Sequence, residues 1–400
     1  MHSLSCGVCL FIKMLELQNT FTAKTCLKHV KMVVPTIVMF GVVPQYFIVW
    51  VMWRCLTCVL PNWIYQYGDD MYYSVYQKFV LFFFEQVAGT KVFLYGNVEE
   101  VTSKPERVIY MSNHQSTVDW VIVHMLADRQ KSIGHVRYVM KDSLQLVPLY
   151  GFYFYEHGCV YVKRHYFDSN KMISSLHSLQ DKRIPTWMVI FPEGTRYNPE
   201  MPNVIEKSQA FARERGLVPL KHVLTPKYRG FHLTLENLKN NLDAVYDATV
   251  IYSCTKGGKR TIRTKAPTMF EFVTGCCDAV YIHINRIDMC SIPANESDLR
   301  SWLHKIFEEK DKMLDAYYNG KHSPSMSKMF PLSNGFISPP RHLSNLGCLL
   351  FLMSISVPFV FTSYGRSIYW KTWAFGTMFG YFWLGIRSVV KCCRFWSLCL

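Results

Sequence analysis

The stretch RVIYMSNHQSTVDWVIVHMLAD, residues 107–128, decides the fold class because it combines two periodicities. Its first part, RVIYMSN, is apolar and typical of a short β-strand. Its second part, STVDWVIVHMLAD, repeats apolar residues at helical spacing, and Ser116 and Asp119 fit a capping box with Ser116 as the N-cap. A strand followed at once by a helix predicts an α/β unit, with His114 in the turn between them.

Further runs with the same character surround this unit. Residues rich in β-branched and aromatic side chains, bounded by Gly, Pro or Asn, occur as KVFLYG at 91–96, GCVYVKR at 158–164, TWMVIFPEG at 186–194 and DATVIY at 247–252. Helical patterns lie between them, and a long one covers 297–318. These alternations predict an α/β domain over residues 90–320, with a mainly parallel sheet flanked by helices.

Apolar segments lie on both sides of the predicted domain. After an N-terminal tail at 1–31, 22 uncharged residues at 32–53 are long enough to cross a bilayer. With the apolar stretch at 78–89 they predict a membrane-embedded helical hairpin over 32–89. A single crossing would place the domain in the lumen and a returning hairpin would keep it in the cytosol, and both alternatives stay open.

The C-terminal part repeats this pattern. A polar linker at 321–342 leads to apolar runs that predict a second membrane hairpin over 343–387. A basic, cysteine-containing tail follows at 388–400.

The formal net charge of +15 suits anionic partners, and the densest basic run is KGGKRTIRTK at 256–265. That run lacks the interleaved aromatic residues of many nucleic-acid binders, and the long apolar segments favour a lipid bilayer as the partner instead of nucleic acid. The 14 cysteines are scattered without zinc spacing, so we expect no metal site.

His114 and Asp119 are candidates for a catalytic pair, although their spacing alone is weak evidence. Five residues apart, they diverge by about 140° in a continuous helix and point to opposite faces in a strand, so they meet only where the backbone changes direction. HINRID holds His283 and Asp288 at the same spacing but alternates like a strand. The alternatives are a base with its orienting carboxylate, or a loop histidine beside a capping acid.

Two later segments carry candidate phosphate ligands. FPEGTR, residues 191–196, follows a strand-like run, so Arg196 would lie at the carboxyl edge of the sheet, where α/β proteins bind ligands. Gly194 permits close backbone approach, although a turn with a surface ion pair is the alternative. GCVYVKR delivers Lys163 or Arg164 to a strand end.

Together and in this order, the motifs resemble the glycerolipid acyltransferase family, the 1-acylglycerol-3-phosphate acyltransferases. The matching blocks are His114–Asp119 for HxxxxD, Lys141–Pro148–Gly151 for the lysine-to-proline-glycine block, Gly158–Arg164 for G-x-x-x-x-x-R, Glu193–Arg196 for EGTR and the region Val218–Pro226 for the hydrophobic-proline block. The resemblance covers roughly residues 30–320.

The resemblance implies transfer of an acyl group from acyl-CoA, as a co-substrate, to the sn-2 hydroxyl of a lysophospholipid, with no cofactor. It assigns His114 as the general base and Asp119 as its orienting partner. It assigns the substrate and phosphate contacts to Lys141, Gly158, Arg164, Glu193, Gly194, Thr195 and Arg196. The acceptor implied first is lysophosphatidic acid, giving phosphatidic acid, with lysophosphatidylinositol and lysocardiolipin as alternatives.

The expected cellular location is a membrane, with the endoplasmic reticulum favoured and the mitochondrial outer membrane and nuclear envelope as alternatives.

Two other functional classes fit the sequence less well. A serine hydrolase should carry a G-x-S-x-G elbow, which the sequence lacks. A membrane scaffold without catalysis gives no reason for the ordered motif blocks.

Overall fold

One large, mostly parallel sheet organises the protein. The computed structural model describes residues 25–163, 167–257, 262–319, 335–339 and 342–386. The strands within those residues are β1 Lys91–Gly96, β2 Val108–Ser112, β3 Val136–Lys141, β4 Val160–Val162, β5 Trp187–Ile190, β6 Ala244–Tyr252, β7 Lys256–Gly257, β8 Ile262–Arg263, β9 Ala279–Asp288 and β10 Phe336–Ser338. The sheet has the order β10–β1–β9–β6–β2–β5–β3–β4, and β7 pairs separately with β8.

The strand directions confirm the predicted fold class. The contiguous strands β6, β2, β5, β3 and β4 are all parallel to one another. β1 is parallel to β9, whereas the β6–β9 and β10–β1 junctions are antiparallel. β2, β5 and β6 are buried along their whole length, as expected for parallel strands covered on both faces.

Helices cover the two faces. Those described are α1 Thr25–Leu56, α2 Asn62–Leu81, α3 Val98–Ser103, α4 Asp119–Arg129, α5 Tyr150–Glu156, α6 Ser169–Leu176, α7 Pro202–Arg213, α8 Tyr228–Leu238, α9 Met269–Val273, α10 Glu296–Asn319, α11 His342–Phe361 and α12 Ser363–Lys371. α10 confirms the helix predicted at 297–318. Alternate residues of β2 enter different cores: Tyr110 packs with α4 residues, and Ile109 with residues of α6, α8 and α10.

The strand predicted at 186–194 is shorter in the structure, because β5 ends at Ile190. Pro192 has no N–H to donate to a ladder, and Gly194 adopts a left-handed φ of +68°. The chain therefore leaves the sheet at this point and forms the loop that carries the EGTR block.

Two helices are long and apolar enough to cross a membrane, judged by length and composition: α1, with 32 residues, and Leu343–Phe361, with 19 residues. α2 and its π-helical continuation Phe82–Val87 pack on the sheet domain instead through buried ion pairs. Arg137 of β3 bonds to Asp70 at 2.7 Å, and Arg129 of α4 bonds to Glu85. Where the predicted hairpin at 32–89 lies relative to a bilayer stays a prediction.

The chain after α12 continues as a helix to residue 386 and packs on α5. Phe152 lies edge-on to Phe379 and Trp383, with ring centroids 5.4 and 5.0 Å apart. The predicted tails at 1–31 and 388–400 and the linker at 321–342 lie wholly or largely outside the described residues.

Candidate active site

The carboxyl ends of five parallel strands meet at one edge of the sheet, and most of the predicted site residues lie there. His114 comes two residues after β2, and Glu193 comes three residues after β5. Lys141 ends β3 and is paired in register with Val162 at the end of β4. The sequence motifs are therefore brought together by adjacent strands, as the open-sheet rule predicts.

His114 and Asp119 are in direct contact in the turn between β2 and α4. The His114 Nδ1 lies 2.7 Å from Asp119 Oδ2, and the side chains are 17% and 6% exposed. The imidazole stacks on Phe191 with ring centroids 4.5 Å apart. Within the described residues, Nε2 makes no hydrogen bond, so it is the nitrogen left for a substrate.

Asp119 accepts hydrogen bonds at both carboxylate oxygens. Oδ2 accepts from the backbone N–H groups of Gln115, at 2.8 Å, and Ser116, at 2.9 Å, in addition to the imidazole. Oδ1 accepts from the Tyr252 hydroxyl at 2.6 Å. The carboxylate is thus held on all sides and cannot rotate without losing several bonds.

The predicted Ser116 cap is wrong. α4 begins at Asp119, and Val118 occupies the N-cap position without a side-chain cap. The Ser116 hydroxyl instead donates to the carbonyl of Pro267 and accepts from the N–H of Val118 at 2.9 Å. Pro267 lies 151 residues away, so this competing partner is a consequence of the tertiary fold.

Tyr252, at the end of β6, is a site residue that the sequence did not reveal. Burial and the adjacent Asp119 carboxylate raise the pKa of Tyr252 well above its ordinary value, so its hydroxyl stays protonated as a donor. β6 pairs with β2, and this pairing places Tyr252, the last residue of β6, next to Asp119. Nothing in the local sequence around Tyr252 marks it.

Glu193 holds the turn in place through hydrogen bonds to the backbone. Its carboxylate is buried and accepts from the backbone N–H of His114 at 2.6 Å and of Leu224 at 2.8 Å. Burial raises the pKa of Glu193 to about 8, against these two N–H bonds, which favour the ionised form. Its side chain therefore faces protein backbone, and the substrate contact assigned to it stays a prediction.

The remaining residues of the EGTR block are more accessible. Gly194 is needed because its φ of +68° suits glycine and because the Lys227 side chain passes 3.3 Å from where a Cβ would lie. Thr195 is half-buried, and Arg196 is exposed and without a hydrogen-bond partner in the described part of the chain. Tyr197 donates its backbone N–H to the His114 carbonyl at 2.8 Å, which ties the block to the turn that carries His114.

The predicted cations differ in how far the structure describes them. Lys141 is exposed at the same sheet edge as His114. Arg164 lies outside the described residues.

Gly158 was also predicted to contact the substrate. It precedes β4 and so lies at the opposite edge of the sheet, where its φ of +98° forms a turn beside the Arg137 side chain. The structure therefore does not bring Gly158 together with His114.

The HINRID segment behaves as a strand. It forms the end of β9, with His283 buried and Asp288 exposed and paired with Arg286. The same spacing thus produces no His–Asp contact where the backbone keeps its direction.

Sequence comparisons agree with this geometry. A model of the acyltransferase family matches residues 95–251, and a model of an acyltransferase C-terminus matches residues 271–352. The mouse 1-acyl-sn-glycerol-3-phosphate acyltransferase epsilon is 41% identical over 355 residues, which cover 88% of this chain and 96% of that protein. The chain belongs to the 1-acyl-sn-glycerol-3-phosphate acyltransferase family. The protein is therefore an enzyme, and the resemblance drawn from its motifs is confirmed.

Other relatives of this acyltransferase are more distant. A probable 1-acyl-sn-glycerol-3-phosphate acyltransferase 5 of Arabidopsis thaliana is 35% identical over 246 residues, covering 61% of each chain. The crystal structure of the acyltransferase PlsC from Thermotoga maritima aligns with 72% of this chain and 98% of its own, at 16% identity and a TM-score of 0.40. That score is too low to support an argument about the fold.

Tyr252→Phe is expected to lower the turnover of the acyltransferase by about tenfold, because it leaves Asp119 Oδ1 buried without its donor. Steady-state kinetics on the purified variant measure this, and KM for both substrates should change little. The matched control is Tyr246→Phe, since the Tyr246 hydroxyl donates to Glu106 at 2.6 Å on the same strand, away from the site. Equal losses in the two variants would contradict the assignment.

Proposed function

We propose that the protein transfers an acyl group from acyl-CoA to the sn-2 hydroxyl of a lysophospholipid, with lysophosphatidic acid as the main acceptor. The observation that carries the proposal is the 2.7 Å contact between His114 Nδ1 and Asp119 Oδ2 at the carboxyl edge of the sheet. Membership of the acyltransferase family supports the reaction class, and the names of its relatives support the acceptor.

His114 acts as the general base. With the Nδ1 proton donated to Asp119, Nε2 is the basic nitrogen and takes the proton of the sn-2 hydroxyl. The hydroxyl oxygen forms a bond to the thioester carbon, the carbon–sulfur bond breaks, and the CoA thiolate recovers the proton from the imidazolium. Asp119 fixes the tautomer and stabilises the imidazolium, as in a triad whose hydroxyl belongs to the substrate. No covalent enzyme intermediate and no cofactor is required.

Arg196, Lys141 and Arg164 bind the phosphate groups of the acceptor and CoA. The exposed guanidinium of Arg196 and the exposed amine of Lys141 support this, because both are at the edge that holds His114. Arginine binds a phosphate through two parallel N–H bonds, which fixes the acceptor as well as attracting it. Gly194 and Thr195 shape the same loop, with Glu193 as its buried brace.

Arg196→Ala is expected to raise the KM for the phosphorylated acceptor by about tenfold or more, with a smaller change in kcat, since a charged hydrogen bond is lost in both ground and transition states. Acceptor titrations at saturating acyl-CoA measure this. Arg213→Ala, which removes a cation at the end of α7, is the matched control. An unchanged acceptor KM in the Arg196 variant would rule out the phosphate contact.

Attachment to a membrane brings the enzyme to its lipid acceptor. The support is the apolar surface of α1 and α11, whose exposed side chains include Leu27, Val30, Val33, Ile37, Phe40, Leu343, Leu350, Phe351, Val357 and Val360. Such surface is costly in water and suits hydrocarbon. Residues 90–320 then form the catalytic unit beside the bilayer of the endoplasmic reticulum or of another organelle.

An acyl-transfer assay read by mass spectrometry tests the function. The full chain is incubated in three separate reactions, each with acyl-CoA and one acceptor: lysophosphatidic acid, lysophosphatidylinositol or lysocardiolipin. We expect phosphatidic acid as the fastest product, and none above background with His114→Ala. Faster acylation of another acceptor would reassign the substrate, and no product from any acceptor would contradict the proposal.

A further inference from the structure

Arg263 is a buried cation in KGGKRTIRTK, the densest basic run of the chain, at residues 256–265. Only 9% of the residue is exposed, so it does not contribute to a solvated basic surface. Within the described residues its guanidinium is paired with no carboxylate, and its donors reach neutral oxygens instead. The buried Glu193 carboxylate is near enough for its charge to interact with that of Arg263, but the two form no direct ion pair. Burying an arginine without a direct ion pair costs free energy, which calls for a specific reason.

The guanidinium is held by four groups from distant parts of the chain. Its Nη1 donates to the His222 carbonyl at 2.5 Å, and its Nη2 donates to Gln115 Oε1 at 2.6 Å. It lies over the ring of Tyr197, with the carbon 4.1 Å from the centroid, and over that of Tyr318 at 4.7 Å. Two aromatic faces and two oxygens replace part of its lost hydration.

Two of those partners also hold the catalytic turn. Gln115 follows His114 directly, donates its backbone N–H to Asp119 Oδ2 at 2.8 Å and anchors its side-chain amide on the Val250 carbonyl at 2.8 Å. Tyr197 donates its backbone N–H to the His114 carbonyl at 2.8 Å. Arg263 thus contacts the residue after His114 and the residue that bonds the His114 carbonyl.

The same contacts close a ring of interactions around the dyad. Tyr318, on which Arg263 stacks, bonds through its hydroxyl to Thr255 Oγ1 at 2.8 Å. Thr255 Oγ1 in turn donates to the Tyr252 carbonyl at 2.6 Å, and the Tyr252 hydroxyl donates to Asp119. A buried polar network of this kind stabilises one arrangement only while each of its members is present.

We propose that Arg263 is a positioning residue for the acyl transfer, acting through Gln115 and Tyr197 to hold the His114–Asp119 turn. The proposal rests on the function given above for that turn. Arg263 does not touch the reacting atoms. Small displacements of a general base cost large factors in rate, because its nitrogen must lie within hydrogen-bond reach of the hydroxyl.

The first test is kinetic. Arg263→Met, which keeps the bulk and removes the donors, should lower kcat by about ten- to a hundredfold and change each KM by no more than about twofold. Arg263→Lys should recover part of the loss, because it restores one donor and the charge. The control is Arg215→Met. The guanidinium of Arg215 also stacks on an aromatic ring, with its carbon 4.3 Å from the Phe211 centroid, but it is not part of the His114–Asp119 turn. A normal kcat in the Met variant overturns the proposal.

A double-mutant cycle tests the route through Gln115. If Arg263 acts through that residue, the combined Gln115→Leu and Arg263→Met variant should lose no more activity than the more impaired single variant. Multiplying losses would show independent action and would contradict the proposed route.

Hydrogen–deuterium exchange separates this proposal from the proposed function. In folded Arg263→Met or Arg263→Lys protein, the peptide covering residues 111–120 should exchange faster than in the wild type, because its N–H bonds to Asp119 loosen. Unchanged exchange at that peptide overturns the positioning role even if the enzyme is active. Faster exchange in a protein whose wild type acylates no acceptor would support positioning and contradict only the proposed function.

Discussion

His114→Ala is expected to lower turnover by at least ~10²-fold, the scale of a positioned general base. The variant removes the nitrogen that takes the hydroxyl proton but leaves the fold intact, because the ring contacts mainly Asp119 and Phe191 at an accessible edge of the sheet. The binding of both substrates should be nearly unchanged. The loss should therefore fall on kcat, measured in steady state with saturating acyl-CoA and acceptor.

A second histidine provides the matched control for that variant. His232 pairs with Glu236 at 3.4 Å on α8, so His232→Ala also removes a histidine from a carboxylate. It should keep normal turnover. Near-normal activity of the His114 variant, or an equal loss in both, would contradict the assignment of the base.

Asp119→Asn is expected to lower kcat by ~10²-fold or more while the domain remains folded. An amide oxygen in the position of Oδ2 still accepts from the imidazole and from the N–H groups of Gln115 and Ser116. The amide nitrogen would face the Tyr252 hydroxyl, which can reverse and accept. The geometry is kept, and the negative charge that stabilises the imidazolium is lost.

The kinetics of the Asp119 variant should be read beside its thermal unfolding. Asp243→Asn is the control, because Asp243 Oδ2 also accepts a backbone N–H, that of Arg107 at 2.8 Å, at the other end of the strands. A large fall in melting temperature with an unchanged kcat in the remaining folded protein would mean that Asp119 is only structural.

Much of the fold followed from local pattern. The strand-to-helix change around His114 predicted the turn, and the strand-like run before FPEGTR predicted that Arg196 lies at the carboxyl edge of the sheet. The strand that ends at Lys141 was not predicted. These predictions succeed because period-two and helical patterns record which faces are buried, and because parallel strands align their carboxyl ends.

The residues that sequence reasoning missed depend on long-range pairing. Tyr252 reaches Asp119 only because β6 lies beside β2, a neighbour relation between segments 133 residues apart. Ser116 lost its predicted capping role to Pro267 for the same reason. Tertiary partners of this kind leave no local periodicity to read.

The surroundings of a charged side chain were harder to predict than the position of its residue in the fold. Arg263 lies in a basic run typical of a solvated surface, yet it is buried between Tyr197 and Tyr318. Glu193 was expected near the phosphate, yet its carboxylate turns inward to the backbone of His114. Burial decides both outcomes, and burial depends on the packing of distant segments.

The most direct test of His114 as the base is the single-turnover rate of acyl transfer in the wild type and in His114→Ala, each measured in H2O and in D2O. If His114 Nε2 takes the hydroxyl proton during the chemical step, the wild-type rate should be lower in D2O than in H2O. The variant should react at least ~10²-fold more slowly than the wild type and should lose the wild-type solvent isotope effect. A rate in His114→Ala within about threefold of the wild type, with the same isotope effect, would show that another group removes the proton.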